Sequence, residues 1–247
     1  MAKVSFTGNE AQQVEIPVED DATPASQTAI VVPRENTAVA EYSEGGVAGE
    51  IGRSDLNMPR LSLVQSVGPM SELFKPGQLV LNKETVLTDG DKPVTVIVIN
   101  IKKAYKENLK YEEDGPMPRV LNTLAEVKAE GGTVEYAGDE PPSWIPYANT
   151  LILVESTEDN PAFPFEHNGK FYAAALWTLQ KTSYTRAAKA IFTAAEYALR
   201  GKPLCAGRWS LGTKREKLGQ NFVYVPVFRM TGKNDDAFVA WVKEMGL

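Results

Sequence analysis

Val94-Thr-Val-Ile-Val-Ile-Asn-Ile101 runs without a break into Lys102-Lys-Ala-Tyr-Lys106. Seven of the first eight residues are β-branched, the shape that packs on a pleated surface and crowds a helix. Both alternating sets of side chains are apolar, so the spacing predicts a strand buried on both faces, at the centre of a sheet. The lysines then mark where that strand emerges into water. Working outward, apolar runs bounded by Gly, Pro, Asn and Asp predict further strands at residues 78–81, 133–136, 150–155, 171–180, 204–211 and 221–230. The folded part begins at Met58-Pro-Arg-Leu-Ser-Leu-Val-Gln65.

Three helices interrupt this pattern. Thr123-Leu-Ala-Glu126 has capping-box spacing, with Gly131 to close a short helix. Residues 183–200 are Ala-rich and stop at Gly201; one face carries Ala187, Ile191, Ala194 and Ala198, another Arg186, Lys189, Thr193 and Arg200. The last helix starts near Asp235, places Phe238, Trp241, Val242 and Met245 on one stripe, and ends at Gly246. The expected fold is mainly β with α additions: an OB-like Greek-key barrel with extra strands, a helical insertion and a C-terminal helix.

Residues 1–52 read differently. Glu19-Asp-Asp21, Thr23-Pro-Ala-Ser-Gln27 and Gly45, Gly46 and Gly49 make a polar, acidic stretch with too few apolar side chains to offset its own ordering entropy. The division is therefore an acidic, flexible N-terminal arm at 1–52 and one β-rich domain at 53–247. The longest apolar run is far too short to span a bilayer, the N-terminus has no signal-peptide pattern, and one cysteine, Cys205, excludes an internal disulfide framework. These features predict a soluble, intracellular protein without a membrane partner.

Charge is distributed unevenly. The chain carries 26 Lys and Arg against 32 Asp and Glu, net −6, yet residues 170–217 hold ten basic side chains and only Glu196 and Glu216, net +8. Seven aromatics are interleaved there: Phe171, Tyr172, Trp177, Tyr184, Phe192, Tyr197 and Trp209. Cations neutralise phosphates and flat rings stack on unpaired bases, so this composition points to single-stranded nucleic acid. A basic surface over an ordinary aromatic core is the competing reading. The candidate binding residues are Trp177, Lys181, Tyr184, Arg186, Lys189, Arg208 and Trp209, with Lys214, Arg215 and Lys217 as a basic hairpin tip. Lys102, Lys103, Tyr105 and Lys106 at the end of the central strand repeat the composition.

Catalytic signals are missing. His167 is the single histidine, so a Ser-His-Asp triad would rest entirely on it, and no nucleophile-elbow motif is present; one His and one Cys make no ordinary zinc site, and no phosphate loop or dinucleotide fingerprint occurs. Glu126-Val-Lys128 has the Glu-x-Lys form of some metal nucleases, with Asp114 upstream, but falls on the short capped helix instead of a strand. No cofactor, no metal and no enzymatic activity are expected.

Asn57-Met-Pro-Arg-Leu-Ser-Leu-Val-Gln65, Phe74-Lys-Pro-Gly-Gln-Leu-Val-Leu-Asn82 and Val96-Ile-Val-Ile-Asn-Ile-Lys-Lys-Ala-Tyr105 resemble bacteriophage and prophage OB-fold single-stranded-DNA-binding proteins. Ala175-Leu-Trp-Thr-Leu-Gln-Lys-Thr-Ser-Tyr184 followed by Lys189 is similar to that group's strand-then-helix unit. The resemblance covers roughly residues 55–230 and implies DNA replication or recombination in the cytoplasm of a bacterial host. Such proteins often end in an acidic tail; here the acidic segment is N-terminal, and it becomes the expected contact for replication or recombination proteins. The leading expectation is a non-enzymatic, largely sequence-independent single-stranded-DNA-binding protein, compatible with homo-oligomerisation. The alternative is a virion structural protein (capsid, decoration or tail component) whose arm pairs with a neighbouring subunit.

Overall fold

The computed structural model describes residues 57–89, 92–109 and 117–247; the acidic arm and Asp114 lie outside them. Among these residues ten strands form two antiparallel sheets. The small sheet has the order β1 (Leu61–Leu63), β2 (Leu79–Leu81), β3 (Thr85–Thr88). The large one runs β10 (Asn221–Lys233), β9 (Gly207–Leu218), β4 (Val94–Glu107), β6 (Trp144–Ser156), β8 (Lys170–Gln180), β7 (Phe165–His167), and β5 (Val120–Leu121) pairs with the far end of β4. The helices are α1 (Met70–Leu73), α2 (Leu124–Ala129), a continuous segment containing α3 (Lys181–Ser183) and α4 (Lys189–Ala194), and α5 (Asp236–Glu244). The protein is thus mainly β with a C-terminal helix, and no helix among the described residues is long and apolar enough to cross a membrane.

The central strand sits as its sequence requires. Val96 and Val98 point into one core with Ile152, Ala173, Trp177, Trp209 and Phe228. Ile97 points the other way, into a second core with Leu153, Tyr172, Phe238 and Val242. Both faces of the sheet are therefore covered, the first by β1, β2 and the helical segment, the second by α5 with Cys205 and Ala206.

The ladders do not close into a barrel. Instead, the chain from Pro59 to Gln65 reaches from the outer edge of β8 to the outer edge of β10. Leu176 donates its N–H to the Pro59 carbonyl at 2.8 Å. At the other end the Gln65 side-chain amide takes the place of a peptide group: its Nε2 donates to the Tyr224 carbonyl at 2.9 Å and its Oε1 accepts from the Tyr224 N–H at 3.0 Å. Four strand spacings plus one beyond each edge come to roughly 29 Å in a flat sheet. Six extended residues reach only about 20 Å. The large sheet must therefore curl around the first core, and the Gln65 clasp covers part of the β10 edge that would otherwise offer open hydrogen bonds. Gly77 permits this docking, since its φ is +95° and a Cβ there would sit 2.5 Å from the Tyr224 ring.

Two expected elements differ. Residues 133–136 form no ladder strand; Thr133 is tied to Ser143 and Trp144 by hydrogen bonds of 2.8 to 3.2 Å in a loop that closes over Trp144. The stretch 204–206 is a 3₁₀ turn, Leu204–Ala206, and the strand starts at Gly207. The capping reading of Thr123 holds: its side chain accepts from the Glu126 N–H, and Glu126 reaches back to the Asn122 N–H at 3.0 Å.

Candidate nucleic-acid interface

The helical segment adopts π winding twice. α3 gives way to a π-helical turn (Tyr184–Ala188), α4 follows, and a second π turn (Ala195–Leu199) precedes Arg200, which ends the helix in a left-handed conformation at φ 48°. Tyr184, Ala187, Ala188, Ile191 and Ala194 face the first core. The outer face, with β10, borders an open groove of about 450 Å³. Thr185, Arg186, Lys189, Ala190, Thr193, Ala194, Tyr197 and Ala198 line it from the helix, and Trp209 and Met230 from β9 and β10.

The basic residues divide by what they touch. Lys181, Lys189, Arg215 and Lys217 are exposed and form no ion pair with a described residue. Arg186 donates to Glu216 at 3.0 Å, and Lys214 pairs with the same carboxylate. Those two cations, Lys214 first, hold the Glu216 carboxyl below the usual carboxylate range. Arg208 behaves otherwise: it donates to Glu155 at 2.6 Å, beside Lys170 at 2.9 Å and the Tyr172 hydroxyl at 3.3 Å. The Glu155 side chain is only 8% exposed. A buried carboxylate requires such partners, so Arg208, expected from the sequence to contact phosphate, is engaged in a structural ion pair.

The second basic cluster meets the first. Lys103 lies over the Tyr105 ring, 5.0 Å from its centroid. The phenol of Tyr105, and after it Tyr184, raises the Lys103 ammonium above its ordinary value. Burial pushes the Tyr184 phenol up in turn. Lys103 thus stands at the entrance of the helical segment, while Lys102 and Lys106 alternate to the opposite face of β4.

Four aromatics expected to stack on bases are instead interior. Tyr105, Trp177, Tyr184 and Trp209 are 6%, 4%, 6% and 1% exposed. Trp209 stacks on Phe228 with centroids 4.7 Å apart and planes 15° from parallel, and Trp177 tilts against the same ring at 5.6 Å. Tyr105 packs with Val127 and Trp144 in a third cluster. Their ring faces are occupied by protein, which corrects the stacking role read from composition. Among the described residues the exposed rings are others: Tyr136 in the loop before β6, Tyr197 beside the groove, and Phe222 on β10, over which Arg215 lies at 4.3 Å. Tyr197 was findable, because it continues the helical face of Arg186, Lys189 and Thr193. Phe222 pairs with Lys217 across the hairpin, which no local pattern announces.

His167 packs against Trp241 at 4.7 Å and Phe238 at 5.4 Å under α5, a packing role. No cluster of potential metal ligands occurs among the described residues. Compared with protein-family models, characterised proteins and solved structures, the chain matches none.

Proposed function

We propose that this protein binds single-stranded nucleic acid, largely without regard to sequence and without catalysing a reaction. The observation that carries the reading is the groove beside the helical segment. Its wall bears Arg186 and Lys189, and the unpaired cations Lys181, Arg215 and Lys217 lie on the same helix and on the β9–β10 hairpin, joined to it through Arg186–Glu216. An extended polyanion fits such a surface, and the exposed rings of Tyr197 and Phe222 offer the stacking that the buried tryptophans do not. The curled sheet with its bridged gap is in keeping with the OB-like architecture that the resemblance to phage DNA-binding proteins implies. Roles in phage replication or recombination rest on that resemblance.

The test separates groove cations from structural ones. Replacing Lys181 and Lys189 with Ala lowers affinity for oligo-dT by about tenfold and leaves thermal stability unchanged, since both are exposed and unpaired. Replacing Arg208 with Ala leaves affinity unchanged and destabilises the fold by about 1–3 kcal/mol, because Glu155 loses a buried partner. The reverse pattern refutes the assignment of the groove.

A further inference from the structure

The residues lining the helical side of the groove come in adjacent pairs spaced by four: Thr185 and Arg186, Lys189 and Ala190, Thr193 and Ala194, Tyr197 and Ala198. In an uninterrupted α-helix of 3.6 residues per turn, a spacing of four drifts by about 40° per step. Three steps would carry the last pair roughly a third of the way round the helix. A π turn takes more residues per revolution, so the two π turns at Tyr184–Ala188 and Ala195–Leu199 bring the repeat from 3.6 towards four. The lining pairs therefore stay closer to one side of the helix than an unbroken α-helix would hold them. Such turns are rare and concentrate at functional sites.

The chemistry along this side of the groove alternates. Arg186 and Lys189 supply positive charge. The Thr185 hydroxyl donates its proton to the Lys181 carbonyl at 3.3 Å, and the Thr193 hydroxyl donates to the Lys189 carbonyl at 2.8 Å. Each threonine oxygen is left as an acceptor, which suits an N–H donor and repels a phosphate oxygen. Ala190, Ala194, Ala198 and Met230 make the remaining surface shallow and apolar, and Tyr197 is 71% exposed at the far end.

Resting on the single-strand-binding reading, we infer that nucleotides lie along this groove with their bases turned inward. Phosphates run along the rim at Lys189, base N–H groups meet the threonine oxygens, and one base lies on the Tyr197 ring. A purely electrostatic groove would need neither the acceptors nor the alanine lining. Every base carries an N–H or NH₂ donor, so this arrangement stays tolerant of sequence.

The experiment compares oligo-dT with an abasic oligonucleotide of the same length and charge, each titrated against the full chain at low salt by fluorescence anisotropy. Oligo-dT binds at least tenfold more tightly, about the contribution of one seated base. Thr193→Val, which keeps the shape and removes the acceptor, weakens oligo-dT severalfold and leaves the abasic strand unaffected. Equal affinity for the two strands overturns the inward placement of bases while leaving the electrostatic reading in place. Binding of neither strand overturns both.

Discussion

Glu216 is the acid that restrains the groove, so replacing it should improve binding. Its carboxylate holds Arg186 at 3.0 Å and also pairs with Lys214. Arg186 and Lys214 are about half exposed, so neither needs Glu216 to satisfy a desolvated charge. Four cations on the helical segment and the β9–β10 hairpin form no ion pair with a described residue: Lys181, Lys189, Arg215 and Lys217. If each meets one phosphate, the slope of log K against log salt is near −0.7 per contact for a single strand, or about −2.8 in all. Glu216→Gln releases two more cations and takes the slope towards about −4.2. Raising salt from roughly 50 to 200 mM then costs the native protein about 50-fold in affinity and the variant about 300-fold, the variant starting from tighter binding at the low end. Anisotropy titrations with oligo-dT at several salt concentrations read both quantities, with circular dichroism to confirm the fold. An unchanged slope, or weaker binding by the variant at low salt, refutes the placement of phosphates beside Arg186 and Lys214.

Two further outcomes concern the scaffold. Gln65→Ala removes both hydrogen bonds to the Tyr224 main chain and should cost about 1–2 kcal/mol in urea unfolding, with faster hydrogen exchange at the Tyr224 amide; unchanged exchange there rules out the clasp. Burial, and then Glu155, pushes the Tyr172 phenol from 10.0 to about 12. The folded state therefore holds its proton more tightly than the unfolded chain. The stabilisation is complete below pH 10 and is lost as pH rises towards 12, by roughly 2–3 kcal/mol. Tyr172→Phe should remove that loss, which denaturant melts from pH 9 to 12 detect; an identical decline in both proteins dismisses Tyr172 as its source.

Much of the fold was readable because burial leaves a direct imprint on residue type. A strand covered on both faces cannot alternate, and Val94-Thr-Val-Ile-Val-Ile99 does not. The stripe of Phe238, Trp241 and Val242 likewise announced the helix that covers the second core. The basic wall was legible for the same reason, since Arg186, Lys189 and Thr193 recur on one helical face. The fate of the aromatics was not. Tryptophan and tyrosine serve equally as core filling and as stacking platforms, and only the position of Phe228 beneath Trp177 and Trp209 decides between them. Nor does any pattern show that Arg208 is engaged by Glu155, 53 residues earlier. The π turns beside the groove are equally silent, because their residues would also suit an ordinary helix. The barrel expected from strand count stays open because the β8–β10 gap is spanned by a single bridge and the Gln65 side chain instead of a continuous ladder.

The central claim, that the groove binds single strands through phosphate neutralisation and free base faces, is tested most directly by titrating the native full-length protein with oligo-dT and with duplex DNA at roughly 50 and 200 mM salt. The account predicts that oligo-dT binds more tightly than duplex, whose bases are already stacked, and loses about 50-fold in affinity across that range. Binding indifferent to salt, preference for duplex, or no measurable affinity for either would contradict it.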